Sequence, residues 1–432
     1  MRSPIVFFVT ITIIYLCFDI YAYQAFLKVF GNTRWLKIIY WGLTALVFLS
    51  LLFVGLARPL GIELPARAGM QVGTFMMILL VPKMILASFM FIEDITRGVR
   101  WFVQQFSTPE ATSVASEGAK KISRSKFLSQ SAMVVAGIPF LHLLYGAVKG
   151  KYDFTVRRIK VPVANLPKAF EGFTITQLSD IHTGSFDSKN AVERGIDMAN
   201  EQGSDVIFFT GDLVNDKAEE LKGFEPIYSK LAAPLGVFSI LGNHDYGDYT
   251  QWPSDEAKRK NFQHLCEAHG KLGWNLLKDQ HQIIEKDGAK LALVGVENWG
   301  KGFKQQGDLE AAIRTPFKAP NEGETPVEVK DADVRILLSH DPSHWEAQVQ
   351  DHPLNFDLTL SGHTHGMQFG VEIPALNIKW SPIKWRYPQW AGLYTASDKK
   401  QHLYVNRGFG HLGYMGRAGI LPEVTVLELT RA

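Results

Sequence analysis

Runs of apolar residues divide this chain into two unlike parts. In the first third they are long. Ile5–Ala22 holds one charge, Asp19, Ile38–Ala57 holds none, Met70–Ile92 holds only Lys83, and Ala132–Val148 holds none. A helix needs roughly 20 apolar residues to cross a hydrocarbon core. The second and third stretches reach that length and the first and fourth come near it. Trp and Tyr stand near several of their ends, where amphipathic rings suit a membrane interface. Core helices of a soluble protein would explain one such stretch. Four in succession predict a transmembrane region over residues 1–150, with spans at about 5–22, 38–57, 70–92 and 132–148. Ionisable groups inside spans mark function or a partner. For Asp19 and Lys83 structural pairing is the expected role, with an ion path as the alternative.

Beyond residue 150 the apolar runs shorten. Residues 93–131 read as an exposed loop with one amphipathic helix, and 151–171 as a linker. From 172 to 432 strand-like runs alternate with helical patterns. "FTITQLSDIH" (173–182), "DVIFFTGD" (205–212), "GVFSILGNHD" (236–245), "VRILLSHD" (334–341) and "FDLTLSGHTHG" (356–366) read as strands with polar tips. Helices are expected near 188–202, 217–232 and 255–269, a hairpin across 281–296, and further strands in "QHLYVNRGFGH" and "PEVTVLELT". Alternating strands and helices predict an α/β domain, and the hairpin adds antiparallel strands.

Composition changes little in this picture. Lys+Arg 45 against Asp+Glu 43 leaves a formal net charge of +2, so no nucleic-acid partner is expected. Cys17 lies in an apolar span and Cys266 in the soluble half, so no disulfide between them is expected and compartment is not signalled. No signal fixes an oligomeric state.

Positive charge does bear on orientation. Lys28, Arg34, Lys37, Arg97, Arg100, Lys120, Lys121, Arg124 and Lys126 flank one side of the spans, against Arg2, Arg58 and Arg67 on the other. That bias places the loops of the first group in the cytoplasm and the C-terminal domain outside. Lys149, Lys151, Arg157, Arg158 and Lys160 weigh the other way. "SRSKFLSQSAMVVAGIPF" (123–140) resembles a twin-arginine export signal in which Ser125 replaces the second arginine. The reading is a multi-pass cell-membrane protein with an extracytoplasmic domain.

The strand tips carry the chemistry. Taken in order they offer Asp180 and His182, Asp212, Asn243 with His244 and Asp245, His340, and His363 with His365. Singly each has a plain structural explanation: a turn, an Asx hydrogen bond or a satisfied histidine. Together, beyond the carboxyl ends of strands where α/β sheets bind ligands, they imply metal. A mixed oxygen and imidazole set without thiolates suits Mn, Fe or Zn in a catalytic site. Two divalent ions about 3.5–4 Å apart can clamp the attacking and leaving oxygens of a displacement at phosphorus. A carboxylate can bridge such a pair, and Asp212 is the natural candidate. Two divalent ions with two carboxylates and one hydroxide leave the site net positive, which suits an anionic ester.

The set D-x-H, G-D, G-N-H-D, H and G-H-x-H resembles the calcineurin-like metallophosphoesterases, most of all the bacterial branch with a membrane or export segment. The resemblance spans about residues 172–430 and includes "AGLY" (391–394), "NRGFG" (406–410), Arg417 and Pro422-Glu423. Met367 departs from it, standing where that branch commonly has a second Gly. The resemblance implies a four-layer sandwich of two mixed β-sheets flanked by helices. It implies one ion on Asp180, His182, Asp212 and His365, and a second on Asp212, Asn243, His340 and His363, with metal-bound hydroxide as nucleophile. His244 would face the substrate, stabilising phosphoryl oxygens or protonating the leaving group, and Asp245 would orient its ring.

Arg417 is a candidate phosphate contact, with a surface salt bridge as the alternative. Asn215, Asp216 and His411 are loop polar residues of the same standing. His142, His264 and His281 read as packed or ordinary residues. "PALNIKWSPIKWRYPQW" (374–390) gathers Trp380, Trp385, Trp390, Tyr387, Lys379, Lys384 and Arg386. It reads either as a lid dipping into lipid headgroups or as a packed loop.

The function expected is a membrane-anchored phosphoesterase (a phosphatase or phosphodiesterase) acting on a phosphate ester at a lipid bilayer. One alternative is a membrane-lipid pyrophosphate hydrolase of the UDP-diacylglucosamine type, which would need a cytoplasmic domain. The other is a non-catalytic metal-binding scaffold, which retention of Asp212 and His244 disfavours.

Overall fold

The computed structural model describes residues 4–57, 60–62, 64, 67–106, 123–318, 327–376, 378–397 and 400–432. It divides into two compact units, Met1–Tyr145 and Gly146–Ala432.

The first unit is built on α1 (Pro4–Phe30), α2 (Arg34–Ala57), α3 (Ala68–Phe106) and α4 (Arg124–Val148). All four are long and apolar enough to cross a membrane. They overrun the apolar runs: α1 continues past Ala22, and α3 past Ile92 to Phe106, into the segment read as a loop with one amphipathic helix. Helix there is supported by charges at helical spacing, because Arg97 pairs with Glu93 one turn back at 2.9 Å and Lys28 reaches Glu93 at 3.1 Å. Lys120 and Lys121 lie outside the described residues, as do Arg2 and Arg58. Asp19 and Lys83 pair with each other at 2.6 Å, both buried, and Thr44 bonds to both. A charge inside apolar helices needs such a partner. Cys17 and Cys266 are both free thiols.

The second unit is a sandwich. Its strands are β1 (Thr155–Val163), β2 (Thr174–Leu178), β3 (Val206–Phe209), β4 (Val237–Ser239), β5 (Trp274–Leu276), β6 (Gln280–Lys286), β7 (Ala289–Gly295), β8 (Val334–Leu338), β9 (Leu358–Ser361), β10 (Val371–Ile373), β11 (Ile378–Trp380), β12 (Gly392–Thr395), β13 (His402–Val405) and β14 (Glu423–Arg431). One six-stranded sheet runs β1-β14-β2-β3-β4-β5 and the other β12-β13-β9-β8-β7-β6, while β10 and β11 form a separate hairpin. Both sheets are mixed: β2 to β5 are parallel with β14 antiparallel to β2, and β7, β8, β9 and β13 are parallel with antiparallel edges.

Period-two alternation assigns side chains to layers. Phe208, Ile336 and Leu338 enter the core between the sheets. Ile207 and Phe209 face the opposite way, against Val192 and Ile196 of α5 (Lys189–Asn200), Ile227 of α6 (Glu225–Tyr228) and Leu265 of α7 (Asp255–Lys271). Leu337 and Val294 pack outward on Leu309 and Ala312 of α8 (Leu309–Arg314). The result is the helix–sheet–sheet–helix architecture expected.

Two stretches differ from their sequence reading. Residues 151–171 contain β1, which pairs in parallel with β14 from Thr155↔Glu423 to Val163↔Arg431. Its basic residues hid the strand, yet Arg157 is neutralised by Glu372 and Glu423. The helix expected across 217–232 is broken into a turn at Ala218–Leu221 and the single turn α6. Gly223 takes a left-handed φ of 78° and Pro226 starts the new turn, so one continuous helix cannot form.

Candidate metal centre

The loops after β2, β3, β4, β8 and β9 converge on one cleft. They are stitched together by main chain: Asp180 N donates to Gly211 O at 2.9 Å, His182 N to Asp212 O at 3.1 Å, and Gly362 N to His340 O at 2.9 Å. His363 N donates to the Asp180 carboxylate at 3.0 Å, which ties the second sheet to the first. Asp180, His182, Asp212, His363 and His365 all have left-handed backbone, with φ between 50° and 68°. Non-glycine residues adopt that region uncommonly, and Asp and His more readily than most. Gly362 is required by space, since a Cβ there would strike Ser179 and the Asp180 carboxylate.

The side chains face inward. His182 Nε2 lies 3.0 Å from His365 Nε2 and 3.4 Å from Asp212 Oδ2. His365 Nε2 lies 3.2 Å from Asp180 Oδ1, and His340 Nε2 3.2 Å from Asp212 Oδ2. His363 Nδ1 lies 2.9 Å from Asn243 Oδ1 and 3.3 Å from His340 Nε2. Ligand atoms of Asp180, His182 and His365 fall within 4.8 Å of one another, as do those of Asp180, Asp212 and His340. All seven candidate ligands therefore meet in one place. His340 Nδ1 donates to Thr210 O at 2.7 Å, which turns Nε2 toward the centre.

Electrostatics call for a cation at this spot. Burial pushes Asp180 up to about 6, with the charge of Asp212 adding to it. Against the cost of burial, Asp212 and then Asp180 raise His340 to about 10. Burial lowers His182 to about 3 and His363 to about 4. Buried nitrogens and carboxylate oxygens directed at one another are a donor set that divalent ions satisfy. The residues present fit the paired centre inferred from their types.

Two site assignments need correction. Asp245 does not touch the ring of His244. Its carboxylate accepts from the backbone N–H groups of Gly242 (2.8 Å), Asp212 (2.9 Å), Leu213 (2.9 Å) and Val214 (3.3 Å). It clamps the two loops carrying Asp212 and Asn243, and the ring of His244 is held instead by Nδ1–H on Asn215 O at 2.8 Å. Arg417 cannot reach a phosphate, nor is it a surface salt bridge. It is fully buried, and its guanidinium donates to the carbonyls of Gly410, Arg407, His365 and Gly408, with Nη2 3.1 Å from His365 Nδ1. It braces the loop of His365 from behind.

Sequence reading missed Tyr387 and Asp341. The Tyr387 hydroxyl lies 2.9 Å from His363 Nε2 and 3.1 Å from Asp341 Oδ2, and so fixes the ring that presents Nδ1 to the centre. Asp341 follows His340 directly, a weak signal. Tyr387 carried none beyond its aromatic surroundings. Asp216 accepts from Tyr249 N at 3.0 Å, and His411 is buried against Phe186.

Comparison with known proteins agrees with this geometry. Residues 1–151 match the family "Probable Calcineurin-like phosphoesterase, transmembrane domain", and residues 173–367 match "Calcineurin-like phosphoesterase". The chain is 30% identical to the phosphodiesterase YaeI of Escherichia coli over 311 residues, 71% of this chain and 99% of that protein. It is 29% identical to the metallophosphoesterase YkuE of Bacillus subtilis over 319 residues, 72% of this chain and 98% of that one. The UDP-2,3-diacylglucosamine pyrophosphatase LpxG of Chlamydia trachomatis is 27% identical over 285 residues, 57% of this chain and 81% of that protein. With five ligand loops gathered in one cleft and four apolar helices ahead of them, the chain belongs to the calcineurin-like metallophosphoesterases, a family of metal-dependent hydrolases.

Proposed function

We propose that residues 1–150 anchor the chain in a cell membrane and that 172–432 hydrolyse phosphate esters with two divalent cations. The convergence of seven ligand-type side chains, with nitrogens and carboxylate oxygens about 3 Å apart, carries this reading. Asp180, His182, Asp212 and His365 would hold one cation, and Asp212, Asn243, His340 and His363 the other. When bound, the pair supplies Lewis acidity toward phosphoryl oxygens and makes hydroxide available near neutral pH.

The chain's own groups do the rest. His244 stands beside the ligands, its ring 4.9 Å from that of His182, with Nδ1–H fixed on Asn215 O. Its Nε2 is the atom that would give a proton to the leaving oxygen or bond a phosphoryl oxygen. A cavity of about 250 Å³ adjoins Asn243 and is lined by Tyr246, Tyr249, Phe303 and Lys304. Asp248 also lines it and pairs with Lys304 at 3.2 Å, so the walls are aromatic and polar around one ion pair. The positive-charge bias around the helices supports an extracytoplasmic domain, and Mn, Fe and Zn all suit the donor set.

The test is elemental analysis of the detergent-purified full chain, followed by hydrolysis of phosphomonoesters, phosphodiesters and lipid pyrophosphates. Lipid pyrophosphates belong in the panel because of the activity named for the Chlamydia relative. Bound transition metal with ester turnover is expected. Bound metal without turnover of any ester would favour a scaffold, and absence of metal would overturn the reading.

A further inference from the structure

The hairpin of β10 and β11 is built inside out. Its register pairs Val371 with Trp380, Glu372 with Lys379 and Ile373 with Ile378. Successive residues of a strand point to opposite faces, so one face carries Val371, Ile373 and Ile378 and the other carries Glu372 and Lys379. In a soluble domain the apolar face of such a hairpin turns inward. Here the polar face is the anchored one: Glu372 pairs with Arg407 at 2.6 Å and with Arg157, and Lys379 Nζ donates to Ala391 O at 2.5 Å. The apolar face is left exposed, with Leu376 beside the turn 65% accessible.

Trp385 follows, 76% accessible, its ring edge-on to Trp380 and flanked in sequence by the exposed cations Lys384 and Arg386. Clustered apolar side chains rimmed by polar residues mark a contact surface. Trp at an interface and cations at its rim are the combination that anionic phospholipid selects. The chain also passes from the last apolar helix, ending at Val148, to the turn at Gly150 with Lys149 alone between them. The domain that carries this surface is thus joined to the apolar helices by a single intervening residue.

We propose that the outer face of this hairpin, with Trp385, seats on the anionic headgroup layer of the membrane that holds the apolar helices. The same segment supplies Tyr387, two residues beyond Trp385, to the ring of His363. Lipid contact and the metal centre thus share one stretch of chain, and the ester reaching that centre would come from the headgroup layer.

The test is photocrosslinking of the full chain in nanodiscs of phosphatidylcholine with or without phosphatidylglycerol. p-Benzoylphenylalanine replaces Leu376, Trp385, Leu49 on α2 as a span control, or Arg259 on α7, which packs on β5 at the sheet edge opposite β1. Phospholipid adducts are expected at 376, 385 and 49 and not at 259, with yields at 385 about fivefold higher in anionic discs, the effect of roughly one basic contact. Labelling at 49 without lipid adducts at 376 and 385 would overturn the proposal, as would a chain-to-chain crosslink in their place. The readout needs no turnover, so its failure is distinct from failure of the hydrolytic reading.

Discussion

Behind the strand tips, Arg417 and Asp245 bond to main chain: one donates to four carbonyls, the other accepts from four N–H groups. In front of the tips, His182, His365, His340 and Asp212 direct nitrogens and oxygens at one another across about 3 Å. Both rows are buried and charged. The rear row is complete within the protein, because every charge meets main-chain dipoles of opposite sense. The front row turns its ring nitrogens and carboxylate oxygens on one another around a common point instead. Burial of polar groups is tolerated when partners are present, so the unfinished row identifies what must come from outside. Residue type alone does not separate the rows, since each contains Asp beside a glycine-rich turn.

Four substitutions would break or sharpen that contrast. Asp212→Asn should remove bound metal and lower hydrolysis by at least about 10³-fold, since it strips charge from both cation positions proposed above. Elemental analysis and initial rates measure the two losses together. His244→Ala should keep the metal and lose about 10²–10⁴-fold in rate, the usual yield of a positioned acid. Equal metal loss in both variants would erase the distinction between ligand and proton donor. Arg417→Met should cost about 3–5 kcal/mol, because it leaves buried carbonyls unpaired. The thermal midpoint should fall even with metal in excess. A variant of unchanged midpoint but raised KM would return Arg417 to the front row. Tyr387→Phe removes one hydroxyl behind His363 and should weaken metal affinity about 10–100-fold with the fold intact. Metal titration followed by activity reads that effect, and an unchanged titration would leave Tyr387 as packing alone.

Much of the front row was legible in the sequence because its residues sit where strands end, and strand ends are visible as apolar runs meeting Asp, His or Gly. The rear row was not. Arg417 bonds to carbonyls, and a carbonyl has no residue type to read. Asp245 stands next to His244 in sequence, which suggested a side-chain partnership that the turn geometry does not allow. The edge strand β1 was hidden for a related reason. Its Arg157 looked like a linker charge until Glu372, 215 positions away, was found beside it. Local patterns report what a residue does along its own element, whereas long-range neutralisation is fixed only by topology. Each of the four apolar runs lies inside a longer helix, since hydropathy marks an apolar core and not the helical turns that continue beyond it.

The left-handed backbone at Asp180, His182, Asp212, His363 and His365 bears on which variants of this chain can exist. Valine or isoleucine at these positions would be disfavoured twice, for want of a donor atom and because branching at Cβ resists that twist. Asparagine would fit the curve and keep an oxygen for the N–H groups that Asp180 and Asp212 hold, and glycine would fit the curve alone. Inactive descendants of this protein should therefore drift toward those two residues first, keeping the shape of the cleft long after its reactivity has gone.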